Sequence, residues 1–200
     1  NVHQRDDDPI HRLPSAYAAL LKEINKKRRI GFFVFENVPG LLSPKHIEKF
    51  EKFKAEFANA GFALHVVQLD AVDYGVPQVR PRVFIVGVNQ KFFKNAAWEP
   101  PQPTTEPAKT VSDAIGGLPD PFFNNERDGT AVPCHPNHYC MVPRSEKFSS
   151  GAMQPGTVKG RCFRVLSWKE PSWTVAYGNR EVHVHPNGQR RLSMFEALRL

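Results

Sequence analysis

Apolar positions recur along the first 90 residues with two different periods. Tyr17, Leu20, Leu21 and Ile24 fall at helical spacing and predict a helix running from a Ser15 cap to about Asn25. Lys26-Lys27-Arg28-Arg29 follows as a solvated basic connector. Phe32, Phe33, Val34 and Phe35 then form an unbroken aromatic and β-branched run. Such a run suits a central strand, from about Ile30 to Val38, covered on both faces. It stops at Glu36-Asn37, and Pro39-Gly40 turns the chain away. A second helix is predicted with Ser43 as cap and Pro44 at its first position. Ile47, Phe50, Phe53 and Phe57 make its buried stripe, and Gly61 ends it. Two more strands, Phe62 to Val72 and Arg82 to Val88, flank a turn at Tyr74-Gly75-Val76-Pro77 and are expected to pair antiparallel. Residues 15–88 therefore predict helix, strand, helix, strand, strand, one half of an α/β sheet.

After Asn89 the periodicity is lost. Trp98 to Pro103 is a proline-rich crossing, and Thr110 to Leu118 predicts one short helix. Residues 119–160 are rich in Pro, Gly, Asn and Ser and predict irregular structure. Phe163 to Leu166, Trp173 to Tyr177 and Glu181 to Val184 are short strand candidates. Ser193 with Glu196 three residues on forms a capping box that opens a helix towards Leu200. No internal repeat is visible.

Of the 200 residues, 40% are apolar and 24% charged, which places the chain among globular proteins. No apolar run approaches a membrane span, and no signal peptide is visible. Three cysteines without framework spacing point to a reducing, cytoplasmic setting. The net charge of +7 is unevenly placed. Residues 141–200 hold 10 Lys and Arg against 4 Asp and Glu, whereas residues 1–140 hold 17 against 16. A concentrated basic segment suits a polyanion such as nucleic acid, because neutralising phosphates releases counterions.

Candidate chemistry gathers at two places. Glu36 ends a buried strand, where open α/β sheets bind ligands; the plain alternative is a solvated acid that merely ends the strand. Gln78, Arg80 and Arg82 stand at alternate positions leading into another strand, which puts them on one side. If the two strands are neighbours, a carboxyl faces a guanidinium, and the pair can grip a planar heterocycle carrying donors and acceptors. The plain alternative is a structural salt bridge. Cys134, His135, His138 and Cys140 are conceivable zinc ligands, but their spacing fits no standard finger. Pro133-Cys134 lacks the preceding apolar strand that a nucleophile loop needs.

Taken together, Phe35-Glu-Asn-Val-Pro-Gly-Leu-Leu42 and Asp73-Tyr-Gly-Val-Pro-Gln-Val-Arg-Pro-Arg-Val-Phe-Ile-Val-Gly87 resemble the DNA cytosine-5 methyltransferases. The first matches that family's Glu-Asn-Val motif and the second its Gln-x-Arg-x-Arg motif. Thr110 to Pro119 resembles the entry to the family's target-recognition region, and Phe163 to Val175 its exit. Asn137-His138 resembles a pair common within that region, and His185 to Ser193 with Glu196-Ala197 resembles the next motif. The order and spacing hold from about Asp8 to Leu200.

The resemblance implies a partial Rossmann-like sheet of an S-adenosylmethionine-dependent methyltransferase, carrying an irregular target-recognition region. Residues 1–90 would belong to the C-terminal half of the catalytic domain, 91–175 to the recognition region, and 176–200 to the return to the catalytic domain. The reaction implied is methyl transfer from S-adenosylmethionine to C5 of a cytosine flipped out of double-stranded DNA, with a cysteine thiolate attacking C6. By motif position Glu36 would hold the N3 and N4 side of the base and Arg82 its O2 side, with Arg80 beside it. Gln78 would hold the loop or contact DNA, Asn37 would fix the strand-end turn, and Arg190 would brace the recognition region.

The family's Phe-x-Gly-x-Gly and Pro-Cys-Gln segments are absent from these 200 residues. The expectation is an inactive fragment of a restriction–modification methyltransferase, completed by another segment or subunit. Two other readings remain open. One is a non-catalytic DNA-binding module or split subunit. The other, an unrelated nucleotide-binding α/β protein, has no glycine-rich phosphate loop to support it.

Overall fold

A computed structural model describes residues 12–28, 30–126, 134–159, 163–176 and 181–200. Expectations placed on residues 1–11, Arg29, Pro133, Cys162 and Tyr177 fall outside them. None of the described helices is long and apolar enough to cross a membrane. The chain divides into two compact units, residues 1–69 with 81–102 and residues 70–80 with 103–200.

In the first unit, α1 (Leu13–Lys27) begins ahead of Ser15, with Pro14 in its first turn. Proline suits that position because its missing N–H has no helical partner there. The helix buries Pro14, Ala18 and Leu21, while Leu20 and Ile24 of the expected face are exposed. Two contacts set this rotation. Tyr17 packs against Phe33, Phe35 and Phe57. Asn25 donates to Ala60 O and accepts from Asn89 Nδ2. A 3-10 turn (Pro39–Leu42) follows the first strand, and the Ser43 hydroxyl donates back to Gly40 O instead of capping a helix. The second helix, α2 (Ile47–Asn59), therefore starts later than Ser43-Pro44 suggests. It buries Phe50, Phe53 and Phe57 but leaves Ile47 exposed. Gly61 ends it at φ +101, a conformation that favours glycine.

Strand β1 (Phe32–Asn37) and β2 (Phe62–Asp70) come next, and the short β3 (Gln78–Val79) belongs to the second unit. The last strand of the first unit, β4 (Pro81–Asn89), lies between the two earlier ones in the order β1-β4-β2. Its Val83, Ile85, Val86 and Val88 are all buried, so the most apolar strand takes the centre. The β1–β4 pair is antiparallel, with Phe33 opposite Gly87 and Glu36 opposite Phe84. The Phe33 ring lies where a side chain on residue 87 would be, so only glycine fits there. The expectation that β1 is covered on both faces is wrong. Phe33 is buried, but Phe32 is 65% and Val34 50% exposed. Being an edge strand, β1 packs one face on the helices, while Phe32 and Val34 on the other are half or more exposed.

The second unit is built on short elements. Helix α3 (Val111–Ile115) carries the Thr110–Asp113 capping box, and α4 (Met194–Arg199) the Ser193–Glu196 box. Their apolar faces share a core with Leu166, Val175 and Leu192. The strands are two or three residues long: β5 (Phe122–Phe123), β6 (Tyr139–Cys140), β7 (Val158–Lys159), β8 (Phe163–Val165), β9 (Ser172–Trp173) and β10 (His183–Val184). β3 pairs with β9, β5 with β6, and the third sheet has the order β10-β8-β7.

Polar groups lock this unit where strands are too short to do so. Arg190 is buried and grips Glu196 with both terminal nitrogens, each at 2.8 Å. Glu196 also accepts from Ser193 N at 2.7 Å. Ser193 Oγ meets His138 Nδ1 at 2.8 Å, and His138 Nε2 meets Pro119 O at 2.7 Å. A carbonyl only accepts, so Nε2 carries the proton and Nδ1 accepts from the serine hydroxyl. Burial alone would raise the Glu196 pKa, but the hydrogen bonds and charge of Arg190 outweigh it and lower it. Burial, and then the Arg190 charge, lower the His185 pKa.

Two variants test these locks. Gly87→Ala pushes a methyl group into the Phe33 ring and is expected to lower stability in urea unfolding by about 1–3 kcal/mol. Combined with Phe33→Leu it should cost less than the two single changes added. Arg190→Met strands a buried carboxylate and is expected to cost about 3–5 kcal/mol at neutral pH. In the parent, both depressed pKa values act with the same sign. Stability held by His185 declines as pH falls below 6.5, and that held by Glu196 as pH falls below about 4.5. In Arg190→Met the Glu196 pKa rises instead, so the deficit against the parent should shrink on acidification. A deficit that stays constant from pH 7 to pH 4 contradicts this.

Candidate functional site

The β1–β4 register carries the site. Glu36 and Arg82 stand on neighbouring strands, one diagonal step apart on the same face. Arg82 Nε lies 2.9 Å from Glu36 Oε1 as an ion pair, and its Nη1 donates to Pro81 O at 2.8 Å. The Arg82 side chain is 15% exposed and that of Glu36 48%. The guanidinium is thus held, while the carboxylate opens to solvent. Glu36 Oε2 and Arg82 Nη2 make no hydrogen bond among the described residues, leaving one acceptor and one donor side by side. A half-exposed pair of this kind adds roughly 0–1 kcal/mol to stability. Its chemistry is that of a two-point grip: the carboxylate accepts from an amine, and the guanidinium donates to a carbonyl.

The other expected residues divide between roles. Asn37 Oδ1 accepts from Val38 N at 2.8 Å, a contact within the strand-end turn. The expected alternation of Gln78, Arg80 and Arg82 on one side fails, because no single strand holds all three. Gln78 lies in β3, Arg82 in β4, and Arg80 in the break between them. That break is pinned by Asp70, whose Oδ1 accepts from Arg80 N at 2.6 Å. The Arg80 guanidinium is half-buried and makes no hydrogen bond or ion pair among the described residues. Gln78 is buried, and its Nε2 donates to Leu200 O at 2.9 Å, a contact that ties β3 to the end of α4. Arg190 holds α4 and its cap through Glu196 and reaches the exposed Asp120 at 3.4 Å.

The Cys134–Cys140 segment points its side chains apart. Cys134 is exposed and Cys140 buried. His135 stacks on Phe195 at 4.2 Å, and His138 is taken by Ser193 and Pro119. Among the described residues no group of three or more His, Cys, Asp or Glu is arranged to hold a metal ion. The pairing of Glu196 with Arg190 and the anchoring role of His138 went unread in the sequence. The capping box was a partial signal for Glu196; for His138 only its place in a familiar dipeptide was available.

S-adenosylmethionine is implied by the motifs. Its ammonium and ribose hydroxyls call for carboxylates. A described cleft of about 620 Å³ in the second unit is lined by Ser145, Ser149, Gln154, Asn187 and Gln189 among others, with no acid.

A family model described as C-5 cytosine-specific DNA methylase matches residues 3–200. A type II methyltransferase of Methanothermobacter thermautotrophicus is 36% identical over 191 residues, covering 94% of this chain and 52% of that protein. One from Neisseria meningitidis serogroup C is 35% identical over 190 residues, covering 86% and 45%. The chain thus spans about half the length of the curated relatives it matches. In three dimensions it is similar to an E. coli prophage-encoded protein described as a DNA modification methyltransferase. The TM-score is 0.73 at 21% identity, over 97% of this chain and 64% of that one, a likeness of fold. On these matches, the chain belongs to the C-5 cytosine-specific DNA methylase family.

Proposed function

We propose that this chain supplies the base-holding part of a DNA cytosine-5 methyltransferase acting on double-stranded DNA, with S-adenosylmethionine as methyl donor of the complete enzyme. The observation that carries this reading is the Glu36–Arg82 pair, at 2.9 Å and with one acceptor and one donor left over. Cytosine presents an amine at N4, a ring nitrogen at N3 and a carbonyl at O2 along one edge. Glu36 accepts from N4 and stabilises the proton taken up at N3 when a nucleophile adds to C6 and pushes electron density onto the ring. Arg82 donates to O2. Groups aimed at developing charge lower the barrier more than they tighten ground-state binding. The cytosine must leave the helix to reach them. Arg80, whose guanidinium is uncommitted among the described residues, adds positive charge for the substrate. Gln78, Asn37 and Arg190 hold the scaffold.

No nucleophile loop or cofactor-binding glycine motif lies within the 200 residues. The chain by itself therefore transfers no methyl group. The exposed Phe32 and Val34 on edge strand β1 favour a covering methyltransferase segment or subunit as partner. Host defence by restriction–modification, in the cytoplasm, is the biology that fits.

The test is transfer of labelled methyl groups from S-adenosylmethionine to mixed-sequence duplex DNA. The chain alone is expected to give none. Fused behind the remaining half of the Methanothermobacter relative, it is expected to give turnover. Glu36→Gln in that fusion should lower kcat about 10²–10³-fold. Turnover by the chain alone would make Cys134, Cys140 or Cys162 the nucleophile and overturn this reading.

A further inference from the structure

The side chain and the backbone of Arg80 are in opposite conditions. Its guanidinium is half-buried, yet no hydrogen bond or ion pair engages it among the described residues. A cation partly withdrawn from water, with no anion beside it, loses hydration that a bound ligand can restore. Its backbone, by contrast, is fully held. Asp70 Oδ1 accepts from Arg80 N at 2.6 Å, and Ala71 N donates to Arg80 O at 3.3 Å. The same Asp70 oxygen accepts from Val72 N at 3.4 Å and so starts the 3-10 turn Ala71–Tyr74. Gly75, at φ +79, closes that turn. The residues just before Arg80 are held from another side. Ser172 N donates to Pro77 O at 2.8 Å, and Thr174 Oγ1 donates to Val79 O at 3.0 Å. Arg80 itself lies outside both β3 and β4. At that break a short polar side chain, Asp70, supplies the acceptor that a strand ladder would otherwise provide.

We propose that Asp70 is the positioning residue of Arg80: its carboxylate fixes the backbone from which the guanidinium reaches substrate, and it touches no substrate itself. The inference rests on the reading of Arg80 as a cation for the DNA substrate. Fixing the backbone in advance removes an ordering cost that binding would otherwise have to meet. Asp70 acts as a hydrogen-bond acceptor for two neutral amides, a task that an amide oxygen in the same place performs as well.

The experiment is a fluorescence-anisotropy titration of the 200-residue chain against a labelled DNA duplex, with thermal unfolding and Arg80 amide exchange followed for each variant. Arg80→Gln is expected to weaken binding about tenfold, the fold-change of one charge-assisted contact. Asp70→Ala should expose the Arg80 amide to exchange and weaken binding about three- to tenfold. Asp70→Asn keeps an acceptor in place and should bind as the parent does. The double variant Asp70→Ala/Arg80→Gln should bind no more weakly than Arg80→Gln, since no guanidinium is left to position. Where Asp70→Ala does not fold, Asp70→Glu, which moves the oxygen by one methylene, takes its place with the same expectation. Parental affinity in Asp70→Ala, or losses that add in the double variant, overturn the proposal. So does an Asp70→Asn variant as weak as Asp70→Ala, which would make the charge the working feature. If Arg80→Gln binds as tightly as the parent, or the parent binds no duplex even at low salt, the reading of Arg80 as a substrate cation fails instead, and Asp70 keeps only its turn.

Discussion

The candidate site depends on one register. Antiparallel pairing of β1 with β4 sets Glu36 opposite Phe84 and so brings Arg82 to the carboxylate from a diagonal position. A slip of one residue would turn either side chain to the other face of the sheet. The register is held by the Phe33 ring seated on Gly87, which accepts no other residue without displacement. The aromatic core beneath it contributes the rest. Phe33 packs against Phe57, Phe62 and Tyr17, so the strand cannot slide without unmaking those contacts. A small apolar lock thus positions a polar pair that itself adds little stability.

The second unit solves a different problem. Its strands are too short to supply many ladder hydrogen bonds, and its loops are long. Fixed geometry there comes from buried polar groups bonded to one another. Arg190 and Glu196 join the α4 cap to the segment that follows β10, and His138 ties the same cap to Pro119. Buried polar networks of this kind are high-stakes, since each partner removed leaves another unsatisfied.

Those two solutions suit a division of labour. A strand end held by apolar packing presents a rigid carboxylate and guanidinium. A loop-built unit is fixed by buried polar contacts. Base chemistry requires the first kind of rigidity.

Much of the first unit was legible because period and length agree there. The Phe50-Phe53-Phe57 stripe and the apolar run of β4 are local features there, as is the capping box at Ser193 in the second unit, and each formed as its residues dictate. The Glu36 and Arg82 motifs could be found along the chain, as could the concentration of charge after residue 140. What the chain could not tell is which strands become neighbours. Placing β4 between β1 and β2 depends on which strand most needs two covered sides, a comparison made only on folding. The same holds for the break at Arg80, where Asp70 takes the backbone N–H and ends the alternation that sequence spacing suggests. The face that α1 buries was decided by Tyr17 and Asn25 finding partners far away in sequence. Local residue types determined the elements and the reactive groups. Long-range pairing, which has no period to announce it, decided which of those groups meet.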